Sequence, residues 1–229
     1  MAIEGYNQRR TSNQPRLDLI IEDMQSDKVS AVTATTKLIE VDDVKIIVGA
    51  TWLESFQSAV PVMNKNDILT VSASGLISAI ENHENYKSLF SLWYRADKEP
   101  EVLLRHLNSK GVKKIALITE NEPYWQNYVD YFDQHTNEKG IEIATQVKFE
   151  PGENDFRTIL TKVNTLDVDA VVFAMLDPGQ ALLFTKQANE LGLDKDMYTF
   201  ESVVEYMLKT NSSLMKKYFH PTRILRTVF

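Results

Sequence analysis

Short apolar runs recur along this chain. Each is closed by a small or polar turn and followed by a segment with helical spacing. The clearest units are residues 45–48 into Gly49, Ala50 and Thr51, and 68–71 into Ser72, Ala73 and Ser74. Two more follow, 114–119 into Glu120, Asn121, Glu122 and Pro123, and 170–174 into Met175, Leu176, Asp177 and Pro178. Strands that alternate with helices in this way predict an α/β fold, with parallel sheets covered by helices on both faces. Sheets of this kind bind ligands just beyond the carboxyl ends of their strands.

The pattern gives a sequence of elements. Residues 1–11 read as the tail of a helix and 17–22 as a buried strand. Residues 29–40 form a helix with apolar spacing at Val29, Val32, Thr36 and Ile39. Strand 45–48, helix 54–64 and strand 68–71 follow, and Pro61 predicts a kink or an early end to the helix. Residues 75–87 read as a loop or short helix, 88–93 as a strand, and 94–100 as a crossing segment. The pattern then restarts with helix 100–109, strand 114–119, helix 124–139 and strand 142–149. Helix 155–165, strand 170–174, helix 180–191, strand 197–199 and helix 202–209 complete it. Gly140 and Gly192 stand where helices should stop, and Asn154 or Asp155 can cap the helix after Gly152. The expected division is a lobe at 1–97 and a lobe at 98–229. Residues 216–229 fit the alternation poorly.

Composition narrows the chemistry. The 229 residues are 43% hydrophobic and 25% charged, with a net charge of -7. An acidic balance argues against nucleic acid, which needs clustered Lys and Arg. The pairs Lys113-Lys114 and Lys216-Lys217 are too short to change that. Without cysteine there is no disulfide, thiolate zinc site or Cys nucleophile. His83, His106, His135 and His220 lack metal-ligand spacing, and Glu22-Asp23 has no partner base or nucleophile. No phosphate-binding glycine loop or nucleophile elbow occurs. No cofactor, metal or catalytic set is expected. No run is apolar enough to cross a membrane, and the first residues are not a secretory signal. A cytoplasmic protein, or a processed or truncated exported one, is expected.

The strand-end turns carry the binding candidates. Thr51, Ser72, Ala73 and Ser74 are small or hydroxylic, so backbone N–H groups and hydroxyls can approach a carboxylate near helix N-termini. The competing reading is simple helix capping. Trp52 could narrow the site or merely pack. In the second half, Asn121, Tyr124 and Trp125 follow a strand, where an aromatic wall and a phenol suit a small ligand. Glu201, just after strand 197–199, could pair with a cation or be a solvated helix-start residue. Met175 and Leu176 could line a cleft, with core packing the alternative for Met175.

Four segments, "LDLIIEDMQSD", "KLIEVDDVKIIVGATWLESFQSAVPVMNKNDILTVSAS", "LNSKGVKKIALITENEPYWQN" and "FEPGENDFRTILTKVNTLDVDAVVFAMLDPGQALLFTKQANELGL", carry a resemblance. Together they resemble the type I periplasmic-binding-protein fold, in particular the solute-binding proteins of branched-chain amino acid and amide ABC transporters. The resemblance covers most of residues 2–205. It implies two Rossmann-like lobes that close about residues 93–97 on a small amino-acid-like ligand. It also implies a membrane permease as partner, and a periplasmic or extracellular location for the full-length protein. Ser72, Ala73 and Ser74 match positions that bind the ligand's carboxylate and part of its ammonium. Tyr124 matches a position that closes over the ligand, and Glu201 an acid that pairs with the ammonium. The family opens with a signal and a first strand ahead of a helix like "AIEGYNQRR", and it continues beyond Lys209. The sequence therefore reads as the middle of a longer protein, lacking the first strand and the C-terminal return segments. A chain with exposed strand edges is expected to be poorly stable or to associate. A ligand-sensing regulatory or receptor module of the same fold is the main alternative, and a doubly wound enzyme comes third.

Overall fold

The computed structural model describes residues 2–49, 52–73, 85–92, 95 and 97–199. The chain folds as two compact units, Met1–Tyr94 and Arg95–Phe229. Each is a parallel sheet with helices, as the alternating pattern predicts. The expected helix 202–209 and the run 216–229 lie outside the described residues.

In the first unit, helix α1 (Ala2–Arg9) precedes α2 (Lys28–Glu40). Asp27 caps α2 by accepting from Ser30 N at 2.8 Å. The chain continues through β1 (Ile46–Val48), α3 (Leu53–Lys65), β2 (Leu69–Ser72) and β3 (Leu89–Ser91), and the three strands pair in parallel in that order. Ala31 and Ile39 of α2 pack on Phe56, Ala59, Val60 and Met63 of α3. Pro61 does not end α3 early. It faces solvent, and the helix runs on to Lys65 because Val60 and Met63 hold the opposite side in the core. The strand expected at 88–93 is shorter than its apolar run.

Among the described residues, helices pack on one face of this sheet. The register sets Ile46 beside Leu69, and Val48, Val71 and Phe90 in one row. Ile46, Val48, Leu69 and Phe90 are all exposed, Val48 to 75%. Ile47 and Leu89, on the alternate positions, pack against the helical core instead.

The buried strand expected at 17–22 does not form. The segment carries no strand pairing, and Leu19 and Ile21 are 63% and 77% exposed. Its first backbone groups are taken locally: Asn7 donates from Nδ2 to Leu17 O at 2.7 Å and accepts from Leu17 N at 3.0 Å. A side-chain amide thus fills the place of a strand neighbour. Apolar content alone cannot make a strand when no ladder receives it.

The second unit begins with α4 (Lys98–Ser109), preceded by an Arg95–Asp97 ion pair at 2.9 Å. Then come β4 (Lys114–Glu120), α5 (Pro123–His135), a 3-10 turn (Asn137–Lys139) and β5 (Glu142–Phe149). Next are α6 (Arg157–Asn164), β6 (Ala170–Ala174), α7 (Pro178–Glu190) and β7 (Asp196–Tyr198). Gly140 and Gly192 end their helices at φ 64° and 66°, a conformation that favours glycine. The cap before α6 differs slightly from expectation: Asp155 Oδ1 accepts from Arg157 N at 3.2 Å, and Phe156 occupies the capping position.

The sheet order is β5-β4-β6-β7, all parallel. Right-handed crossovers then send α5 to one face and α6 and α7 to the other. The two cores bear this out. Ile115 and Leu117 of β4 pack with α4 and α5 through Leu103, Leu107, Trp125, Tyr128 and Phe132. Ala116 and Ile118 pack with α6 and α7 through Leu160, Val163, Phe184 and Ala188. The continuous apolar run of β4 reflects burial on both faces.

Candidate functional site

The connections after β4 and β6 leave for opposite faces of the sheet. The carboxyl ends of these neighbouring strands therefore form a topological switch point, where open α/β sheets take ligands. Glu120, the last residue of β4, is only 4% exposed. Its Oε2 accepts from Leu176 N, just past β6, at 2.7 Å. The carboxylate thus ties the two strand ends together by a charge-assisted bond. Thr119 beside it is buried, and Thr199 Oγ1 donates to Phe173 O at 2.8 Å.

Asn121 is exposed at the same end. Its backbone N–H donates to Phe149 O at 2.8 Å and its Nδ2 to Glu150 Oε1 at 2.9 Å, so it is held by β5 and the turn beyond. Pro123 starts α5, where a missing N–H costs nothing. Tyr124 is half-buried. Its ring meets Trp125 edge-on at 4.8 Å and lies tilted to Tyr128 at 5.4 Å. The Tyr124 and Tyr128 hydroxyl oxygens are 3.2 Å apart, and Tyr128 donates to Glu99 of α4. Burial, then the neighbouring Tyr124 and Glu99, push the Tyr128 phenol far above its ordinary range.

In the first unit Ser72 closes β2 and is wholly buried, while Ala73 beyond it is exposed. Gly49 ends β1 with φ 150°, its N–H donating to Val71 O at 3.1 Å. Trp52 stands at the N-cap of α3 with half its surface in solvent. Thr51, Ser74 and Glu201 lie outside the described residues.

The structure therefore places Trp52, Ser72 and Ala73 near strand or helix ends of the first unit, and Asn121 and Tyr124 at the strand ends of the second. Met175 is different. It is wholly buried in the core with Phe173, Ala181 and Phe184, so the packing alternative holds for it. The sequence reading missed the roles of Glu120, Glu99 and Tyr128. The i, i+4 spacing of Tyr124 and Tyr128 was a usable signal; nothing local marked Glu99.

Other features do not compete with these strand ends. A cavity of about 210 Å³ lies at the amino ends of β2 and β3, lined by Met63, Ile68, Thr70 and Tyr86 among others. His106 sits edge-on to Tyr198 at 5.8 Å, and burial, with the Lys110 charge, lowers its pKa. Among the described residues no group of three or more His, Asp or Glu could hold a metal ion, and no helix is long and apolar enough to cross a membrane.

Comparison with known proteins agrees with this fold. The chain is 26% identical over 195 residues to the leucine-, isoleucine-, valine-, threonine- and alanine-binding protein of Pseudomonas aeruginosa. That match covers 85% of this chain and 52% of the relative. Among solved structures it resembles a branched-chain amino acid transporter substrate binding protein from Streptococcus pneumoniae in complex with isoleucine. There the TM-score is 0.73 at 22% identity, over 86% of this chain and 56% of the other. It also resembles an ABC-transporter solute binding protein of R. palustris in complex with benzoate, with a TM-score of 0.67 at 19% identity, over 77% and 49% of the two chains. The chain spans about half the length of the curated relatives it matches. With the family's sequence pattern matched over residues 1–210, on parallel sheets of the same fold, this chain belongs to the periplasmic binding protein family.

Proposed function

We propose that this chain is the solute-capturing part of an ABC-transporter substrate-binding protein, taking a small amino acid or amide at the carboxyl ends of its parallel strands. It carries out no catalysis. It works in the periplasm or at the outer cell surface and hands its ligand to a membrane permease. The observation that carries this reading is the switch point after β4 and β6, where Tyr124 stands beside strand ends tied by Glu120 and Leu176. The proposed contacts are strand-end residues of each unit: Trp52, Ser72 and Ala73, with Thr51 and Ser74, in the first, and Asn121 and Tyr124, with Glu201, in the second. Small hydroxylic residues at strand ends suit a carboxylate, and an acid such as Glu201 suits an ammonium. Relatives that bind leucine, isoleucine and valine favour an aliphatic amino acid; the benzoate-bound likeness supplies the contrasting ligand.

Isothermal titration of the chain with L-leucine, L-isoleucine, L-valine, short aliphatic amides and benzoate tests this. Saturable heat with an amino acid or amide is expected. Saturation by benzoate alone overturns the ligand class, and no heat from any of them overturns the function.

A further inference from the structure

The cavity of about 210 Å³ in the first unit lies at the amino ends of β2 and β3. Its floor is apolar: Met63 and Ile68, 2% and 3% exposed, line it together with Leu89. Thr70 lines it too. This residue is buried, and its hydroxyl donates to Met63 Sδ at 3.1 Å, a weak acceptor. Asn64, Asp67, Asn85 and Lys87 complete the lining used here, and all four are exposed. Among the described residues, no hydrogen bond or ion pair occupies their side chains. Other charges of this unit are matched: Lys28 with Glu54 at 3.2 Å, and Lys37 with Asp42 at 2.9 Å. An apolar floor ringed by a few convergent polar groups is the make-up of a small-molecule site.

We infer that this cavity is a second ligand site, which takes a small apolar amino acid as its zwitterion. The apolar side chain lies on Met63 and Ile68, the ammonium meets Asp67, and the carboxylate meets Lys87. The amides of Asn64 and Asn85 both donate and accept, so they serve either group. The volume equals roughly seven waters of liquid, which suits a single amino acid. So small a space puts Asp67 and Lys87 within reach of one molecule. A ligand with one charge satisfies one of them and meets its own sign at the other, so the zwitterion is favoured. The cavity lies at the opposite end of β2 from Ser72 and Ala73. It is therefore separate from the strand-end site proposed above, and each can be filled without the other.

The test uses the chain labelled with 13C at the methionine methyls, where the Met63 signal is identified by its loss in Met63→Leu. L-leucine should move that signal saturably, in the millimolar range expected of so few atoms. A Met63 signal that L-leucine leaves unmoved overturns the site. Two relatives of L-leucine, 4-methylpentanoate without the ammonium and 3-methylbutylamine without the carboxylate, should each bind about threefold more weakly or worse, the effect of one ion pair at an exposed rim. Equal affinity for either of them overturns recognition of the zwitterion. Asp67→Asn and Lys87→Gln should each weaken L-leucine at Met63 about three- to fivefold. Both positions are at the surface, and far-UV circular dichroism checks each fold. A Met63 shift that keeps its full affinity in both variants comes from binding elsewhere and overturns the assignment. The strand-end reading is judged apart: L-leucine heat that persists in both variants belongs to the strand ends, so the loss of one reading leaves the other standing.

Discussion

Removing the Glu120 carboxylate should loosen the turn after β6 far more than its neighbours. In the structure its Oε2 holds Leu176 N at 2.7 Å from a side chain only 4% exposed. A hydrogen bond to a charged group contributes about 1.5–3 kcal/mol net. Leu176 is half-buried, so water can replace part of that bond in Glu120→Ala. The expected loss is about 1–2 kcal/mol, a factor of roughly 5–30 in the local opening equilibrium. Amide hydrogen exchange reads it directly, because Leu176 N–H should exchange faster by that factor. Glu120→Gln keeps a neutral acceptor, and its effect should be about half as large. The β4 amides Ile115–Ile118 lie deep in the sheet and should slow or quicken only with global stability. If Leu176 exchange is unchanged in Glu120→Ala, or rises only in step with Ile115–Ile118, the carboxylate does not hold the turn.

Three further outcomes follow from the same structure. Phe156 is wholly buried, with ring contacts to Phe149 at 5.1 Å and Phe184 at 5.3 Å; Phe156→Ala should cost about 3–5 kcal/mol in urea unfolding, and a loss under 1 kcal/mol would refute that packing account. Asp169 accepts from Lys113 N at 2.7 Å and Lys114 N at 2.9 Å, and these two bonds, Lys113 first, hold its carboxyl below the ordinary value. Its contribution is therefore complete above the unfolded pKa of about 3.9 and fades as pH falls through the lower folded value. The stability gap between wild type and Asp169→Asn, about 0.5–1 kcal/mol after allowing for solvent, should be present at pH 7 and close in strong acid; a gap that widens in acid would contradict the sign. Gly192→Ala, at φ 66°, should destabilise the chain by about 1 kcal/mol in thermal melts, whereas a stabilising change would show that the turn tolerates a side chain.

Strands were legible where burial on both faces made their apolar runs continuous, as in β4 and β6, and where glycine or proline set their ends. Helix α3 was legible in both place and length, and Pro61 does not end it early because it lies on a solvent face whose opposite side is anchored by Val60 and Met63. Segment 17–22 was misread. Its composition suits a strand, yet pairing is a tertiary event, and Asn7 had already taken its first backbone groups. The placement of Ser72 at the end of β2 and of Tyr124 in the first turn of α5 was legible because the turns after strands are marked by small, polar or proline residues. The Glu99–Tyr128 hydrogen bond behind Tyr124 was not. Glu99 and Tyr128 meet across 29 residues of chain, and a glutamate near a helix start reads locally as an ordinary charged position. Only the packing of α4 on α5 turns it into a buried acceptor.

The exposed apolar residues of the β1-β2-β3 sheet set how the folded chain behaves toward amphiphiles. Ile46, Val48, Leu69 and Phe90 present a contiguous oily plane to water, and planes of that kind attract aromatic reporter dyes without any unfolding. Native protein should therefore glow with anilinonaphthalene sulfonate at room temperature. Dye-based melting curves would start from a high baseline, and an apparent early transition in them would record surface adsorption, not loss of structure.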